Sequence, residues 1–238
     1  MPGTIHVDQR DTHRLVPARF TEDGASVLTT LSEDRGILDL MFELEDATND
    51  RLAGESGRLP GINMKELVAG IPSYRTINAA FCHPAPGGSR FNSSDRGAWY
   101  AAFELETAQA EVAYHFHLLL QETAWDEQEV ADYVDYLADF RAEFHDLRGS
   151  KEHQDCLSPD SYVNSQALAA RLLEAGSSGI VYDSVRRRGG TCIVCFRPVL
   201  VIHVRRGATV RFIFRDANSP PVIEYPEPET PPRGWTHG

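Results

Sequence analysis

Ser178-Gly179-Ile180-Val181-Tyr182-Asp183-Ser184-Val185-Arg186-Arg187-Arg188-Gly189-Gly190-Thr191-Cys192-Ile193-Val194-Cys195-Phe196 is the stretch that decides the fold class. Ile180 to Tyr182 is a short β-branched and aromatic run that predicts a strand, and Thr191 to Phe196 predicts another. Between them, Asp183 to Gly190 reads as a charged turn that ends in two glycines. Ahead lies Ser165 to Ala175, where Leu168, Leu172 and Leu173 fall on one helical face and Gly176 stops the helix. Behind, Val199 to Val204 and Val210 to Phe214 alternate as strands do. A helix followed by a run of strands lacks the β-α-β rhythm of a doubly wound sheet, so the chain is expected to be α+β.

Upstream, Pro84-Ala85-Pro86-Gly87-Gly88-Ser89 must bend tightly, and its glycines let the backbone approach a ligand. Ala98 to Phe103 predicts a short strand. Thr107 can then cap a predicted helix carrying Ala110, Ala113, Phe116, Leu119 and Leu120. From Val130 to Leu147 the apolar spacing fits a helix, while the aromatic and β-branched content leaves a strand open. Nearer the start, Leu31 to Leu52 predicts a helix that ends in the Gly54 to Gly61 loop, and Met64 to Ala69 a short one before Pro72.

A chain of 238 residues suits one domain, expected over 1–218 with an N-terminal elaboration at 1–80 and a core at 81–218. The Pro-rich end, 219–238, reads as disordered. Four cysteines are too few for a secreted disulfide scaffold. Cys192 and Cys195, three apart on a predicted strand, point to opposite faces and do not suit a shared zinc ion. His115 and His117, two apart on a helix, diverge likewise, so no metal site is expected. The start is polar and no stretch reaches the ~20 apolar residues of a membrane span, which predicts a soluble, cytoplasmic protein. A net charge of −12 argues against direct nucleic-acid binding. The one dense basic run, Arg186-Arg187-Arg188, fits a solvated turn or an anion site for a phosphate-bearing ligand.

No phosphate-binding loop, dinucleotide fingerprint, nucleophile elbow or zinc-protease motif is present. What stands out is a polar set in otherwise apolar elements: Arg90 after the glycine bend, Tyr100 on a strand, Glu111 in the first turns of a helix, and Ser184 where a strand breaks. Each has a plain structural explanation, such as a helix-opening acid that serves the dipole.

Together, though, Gly88-Ser89-Arg90-Phe91-Asn92, Gly97-Ala98-Trp99-Tyr100-Ala101-Ala102 and Thr107-Ala108-x-Ala110-Glu111 resemble the central signature of the RES domain, a family named for an arginine, a glutamate and a serine. Ser178 to Arg186, with Phe196-Arg197-Pro198 after it, is similar to the serine-bearing segment. His13-Arg14-Leu15-Val16-Pro17-Ala18-Arg19-Phe20 is similar to the family's opening strand, which carries another arginine.

That resemblance implies an ADP-ribosyltransferase-like split sheet with flanking helices, and a toxin of a toxin–antitoxin pair that cleaves the nicotinamide–ribose bond of NAD. The acceptor would be inorganic phosphate or water, and no prosthetic group is implied. By resemblance, Arg90, Glu111 and Ser184 are catalytic, and Arg14, Arg90, Tyr100, Glu111, Ser165 and Ser184 contact NAD. Arg75 competes with Arg14, because the interval from Arg14 to Arg90 is longer than in compact members. Ser165 competes with Ser184. The kinship implies an antitoxin partner with a helix-turn-helix domain, and leaves room for a homo-oligomer. Two other readings stand beside this one: a protein-directed ADP-ribosyltransferase, and a non-catalytic interaction protein.

Overall fold

The computed structural model describes residues 1–21, 61–122, 128–216 and 219–227. The helix expected from Leu31 to Leu52, nearly all of the loop after it, and residues 228–238 lie outside the described residues. Seven strands form one mixed sheet: β1 (Thr4–Pro17), β2 (Trp99–Ala102), β3 (Glu129–Asp146), β4 (Gly179–Asp183), β5 (Thr191–Cys195), β6 (Ile202–Phe214) and β7 (Val222–Glu224). Three helices flank it among the described residues: α1 (Tyr74–Cys82), α2 (Leu105–Glu122) and α3 (Val163–Glu174). The fold is α+β.

The sheet order is β1-β2-β5-β4-β3-β6-β7, with β1 also paired to β3. It therefore splits into two parts. Long antiparallel strands β1, β3 and β6 make one, and the short strands β2, β5 and β4 make the other. The seams are thin: His13 opposite Ala102 joins β1 to β2, and His145 and Asp146 join β3 to β4 in parallel.

The short strands are apolar on both faces because both are covered. Trp99, Ala101, Val181, Ile193 and Cys195 pack with Phe81 of α1 and with Phe140 and Phe144. Their alternate neighbours Ala98, Ala102, Ile180, Tyr182, Cys192 and Val194 pack with Leu168 and Leu172 of α3. Cys192 and Cys195 thus face opposite sides, as three-residue spacing on a strand requires. Gly97 precedes β2 where a Cβ would collide with the carbonyl oxygen of Ala80, so only glycine lets α1 lie this close. On β6, Val210, Phe212 and Phe214 bury against Phe116 and Leu120 of α2.

Several elements differ from expectation. Residues 129–146 are one long strand, in which Val134, Tyr136, Ala138 and Phe140 are buried at a period of two. The apolar run acquires helical spacing because Tyr133 and Leu137, partly buried on the opposite face, add to the buried Val134, Phe140 and Phe144. The two strands expected at 199–204 and 210–214 are a short 3-10 turn, Pro198–Leu200, followed by the single strand β6. Met64–Glu66 is also a 3-10 turn, closed by a capping box from Asn63 and Glu66. Helix α2 begins at Leu105, and the Thr107 hydroxyl donates to the Glu104 carboxylate at 2.6 Å. The sheet extends beyond 81–218 on both sides. β1 pairs with β3 along most of its length, and Val222–Glu224, expected to be disordered, adds an edge strand to β6. No helix among the described residues is long and apolar enough to cross a membrane.

Candidate functional site

The thin seam between the two parts of the sheet leaves a cleft of about 590 Å³. One wall is a face of α2, where Ala108, Glu111, Val112, His115 and Leu118 recur every three or four residues. The rest of the lining comes from β1, from the bend around Arg90, and from Ala102 and Cys192 among others. Arg14, Arg90, Tyr100 and Glu111 all line this one space, although the sequence separates them by up to 97 positions.

Arg14 comes off β1 with its guanidinium 4.9 Å from the Trp99 ring, and one Nη donates to the Tyr100 carbonyl at 3.1 Å. Its Nε is buried without a hydrogen-bond partner. Burial pulls the guanidinium down to about 10, because desolvation penalises the charged form. Such a group gains from an anion that enters the cleft. Arg75 is exposed on α1, lies 5.9 Å over the Tyr74 ring, and is absent from the cleft lining. Of the two competing arginines, the fold brings Arg14 to the others.

Arg90 is 6% exposed. Its Nη1 donates to the carbonyl oxygens of Ser158 at 2.6 Å and Cys156 at 3.3 Å, and the guanidinium stacks 4.8 Å from the Tyr162 ring. The bend that carries it depends on Gly88, whose φ is +70° and where a Cβ would strike the Asn92 carbonyl oxygen. The Tyr100 hydroxyl fastens the same bend. It accepts from Phe91 N–H at 2.9 Å and donates to Asn92 Oδ1 at 2.8 Å, and burial pushes it well above the usual phenol range. Tyr100 thus presents its ring to the cleft and spends its hydroxyl on the Arg90 support. Among the described residues, neither Arg14 nor Arg90 is paired with a carboxylate.

Ser184 donates its hydroxyl to Glu111 Oε1 at 2.7 Å and accepts the N–H groups of Arg186 and Arg187, each at 3.1 Å. The serine therefore fixes the acid from the turn after β4. Cys192 Sγ lies 3.8 Å from the same oxygen. His115, one turn beyond Glu111, is held below its ordinary value by desolvation, against the opposing charge of Glu111, and further by the charges of Arg186 and Arg90. Ser165 stands apart. It is fully buried in the first turn of α3 and donates to the Tyr162 carbonyl at 3.0 Å. Its neighbour Gln166 reaches the bend instead, donating to the carbonyls of Gly87 and Ser89.

Two arginines of the basic run contact neighbouring elements, and the Nε of Arg186 is buried without a hydrogen-bond partner. Arg186 lies 3.3 Å over the Tyr114 ring and donates to the Pro159 carbonyl, and Arg187 donates to Thr107. Sequence reasoning missed His13, His115 and Tyr162. The first two carried signals: His13 adjoins Arg14, and His115 lies four residues beyond Glu111 on the same helix.

These features define a class: an α+β protein whose split sheet opens one cleft, with two guanidinium groups and a serine-held acid facing it. The model of the RES domain matches residues 68–215, more than half of the chain, and the chain belongs to the RES-domain family. Among solved structures, the M. tuberculosis MbcT–MbcA toxin–antitoxin complex is similar with a TM-score of 0.41 and 16% identity, covering 56% of this chain and 74% of that one. No curated protein matches.

Proposed function

We propose that this chain is the toxin of a toxin–antitoxin pair and degrades NAD by cleaving the bond between nicotinamide and ribose. The observation that carries the reading is Arg14, a half-buried arginine whose buried Nε is unmet, lining the same cleft as Arg90 and Glu111. A dinucleotide's diphosphate supplies the charge that these arginines lack. A volume near 590 Å³ lies within the range of sites that enclose a cofactor-sized molecule.

As nicotinamide leaves, the ribose takes on oxocarbenium character, as sugars do in glycoside hydrolysis. Glu111 stabilises that charge more than the ground state, and Ser184 holds its carboxylate in place without waiting for substrate. Arg14 and Arg90 bind the diphosphate or an incoming phosphate. Tyr100 presents its ring to the nicotinamide ribose. Membership in the RES family supports both the reaction and an antitoxin partner with a helix-turn-helix domain.

Incubating the purified protein with NAD, with and without inorganic phosphate, tests the reading by product analysis. Free nicotinamide with ADP-ribose 1-phosphate marks phosphorolysis, and nicotinamide with ADP-ribose marks hydrolysis. Undiminished NAD in both arms would reject it. A covalent ADP-ribosyl adduct on protein would move the activity to the transferase class.

A further inference from the structure

A second pair of groups, of which His13 lines the cleft, lies outside the arginine, glutamate and serine set. His13 Nδ1 is 2.8 Å from Asp135 Oδ2. The Asp135 residue is 4% exposed, and its other carboxylate oxygen is buried without a hydrogen-bond partner. A carboxylate can only accept in such a contact, so Nδ1 carries the N–H and Nε2 is the basic nitrogen. His13 lines the cleft.

Sheet register locates this pair relative to Glu111. His13 stands opposite Ala102, and Ala102 stands opposite Cys192, so the three form one row across β1, β2 and β5. At about 4.8 Å per strand, His13 and Cys192 are about 10 Å apart along the row. Glu111 hangs over the Cys192 end, at 3.8 Å from its sulfur. Ala102, with only a methyl group, lies between. His13 and, beside Cys192, Glu111 thus stand at the two ends of this row and line the same cleft.

The backbone also makes room for Asp135. The β3–β6 register shifts between Val134 and Tyr136, where Asp135 lies. Gly207 of β6 sits against it, and a Cβ there would come to 3.0 Å from the Asp135 carbonyl oxygen. Register breaks of this kind re-aim side chains next to active sites.

We infer that His13, oriented by Asp135, is the general base that activates a protic acceptor, namely water, for attack on the ribose carbon. This rests on the NAD-cleaving reading above and adds the residues that would support hydrolysis. The bond from C1′ to the nicotinamide nitrogen breaks, and its electron pair neutralises the pyridinium ring. The water oxygen bonds to C1′. The water proton passes to His13 Nε2, and Asp135 stabilises the imidazolium that forms.

The test compares two acceptors on the purified full chain with NAD: water alone, and sodium azide, an anion with no proton to lose. His13→Gln and Asp135→Asn are expected to slow ADP-ribose formation by about 10²–10³-fold. Formation of ADP-ribosyl azide should stay close to the parent rate. A merely structural pair would lower both products together, and that outcome overturns the inference. So does a parent that uses phosphate but not water. Should either variant fail to fold, the parent itself decides: a solvent deuterium isotope effect on hydrolysis but not on azidolysis supports the dyad, and its absence refutes it. Glu111→Gln separates this from the underlying reading. A parent inert toward NAD, or a Glu111→Gln variant as active as the parent, removes the NAD reading and the dyad with it.

Discussion

Two groups of arginines in this molecule have opposite surroundings. Arg96 is 8% exposed and grips Glu66 through two nitrogens, at 3.1 and 2.9 Å, while donating to the Phe196 carbonyl at 2.7 Å. Arg197 reaches the same Glu66 at 3.2 Å. In the cleft, Arg14 and Arg90 meet only carbonyls and aromatic faces among the described residues. The first group is complete without a ligand. The second holds positive charge in a hollow with no carboxylate paired to it among the described residues, which suits the anionic dinucleotide proposed above. What differs between the two groups is the carboxylate, present beside Arg96 and Arg197 and absent beside Arg14 and Arg90 among the described residues.

The largest expected effect falls on the acid that faces the cleft. Glu111→Gln should lower NAD cleavage by about 10²–10³-fold, since it removes the charge that stabilises the oxocarbenium ion. A steady-state nicotinamide-release assay checks this, and parent-like turnover would mean that the cleft does other chemistry.

Next comes the arginine with the unmet Nε. Arg14→Gln should weaken NAD binding by roughly 10- to 100-fold, the worth of a charge-assisted contact of about 1.5–3 kcal/mol. Its melting temperature should match the parent's or exceed it, because a half-buried and incompletely paired arginine is removed. Isothermal titration with NAD and a thermal melt read the two halves of the claim. A large loss of stability with unchanged affinity would reverse the comparison.

The complete group should respond the other way. Glu66→Ala leaves the nearly buried Arg96 without its carboxylate, at a cost of about 2 kcal/mol once the partial exposure of Glu66 is allowed for. That corresponds to a fall of about 4–8 °C in melting temperature. Turnover of NAD below the melt should not change, since Glu66 is outside the cleft lining.

The smallest effect is the pH dependence of that same ion pair. The Arg96 hydrogen bond, against a smaller opposing effect of desolvation, holds Glu66 below its ordinary 4.5. A depressed carboxylate contributes stability above its unfolded value, and loses it as pH falls through the lower folded value. Melting temperature should therefore drop as the medium is acidified below about 4.5, and Glu66→Gln should flatten that share of the decline. Identical acid profiles for variant and parent would show that the ion pair is too well solvated to matter.

Much of the site was legible before the fold. The glycine bend, the Trp99–Ala102 strand and the Glu111 helix follow one another within 24 residues of sequence, from Gly88 to Glu111, and local signals set each of them. Residues 129–146 show where local signals fail. Their helical spacing arises because Tyr133 and Leu137 add apolar side chains opposite the buried face, and the pairing with β1 and β6 that makes the segment a strand is not visible in a single stretch of sequence. That Arg14 lines the cleft and Arg75 does not was not legible either, since both lie upstream of Arg90 and strand pairing alone carries β1 to the cleft.

By itself, the sequence determined the mixed architecture, the family and the side chains available for chemistry, because turns, strands and helix faces are written in neighbouring residues. Tertiary structure alone decided that Ser184 restrains Glu111, that Ser165 serves α3, and that His13 meets Asp135 across two strands. These contacts join residues as much as 122 positions apart. No local pattern records them, because strand pairing and burial bring those groups within hydrogen-bond reach.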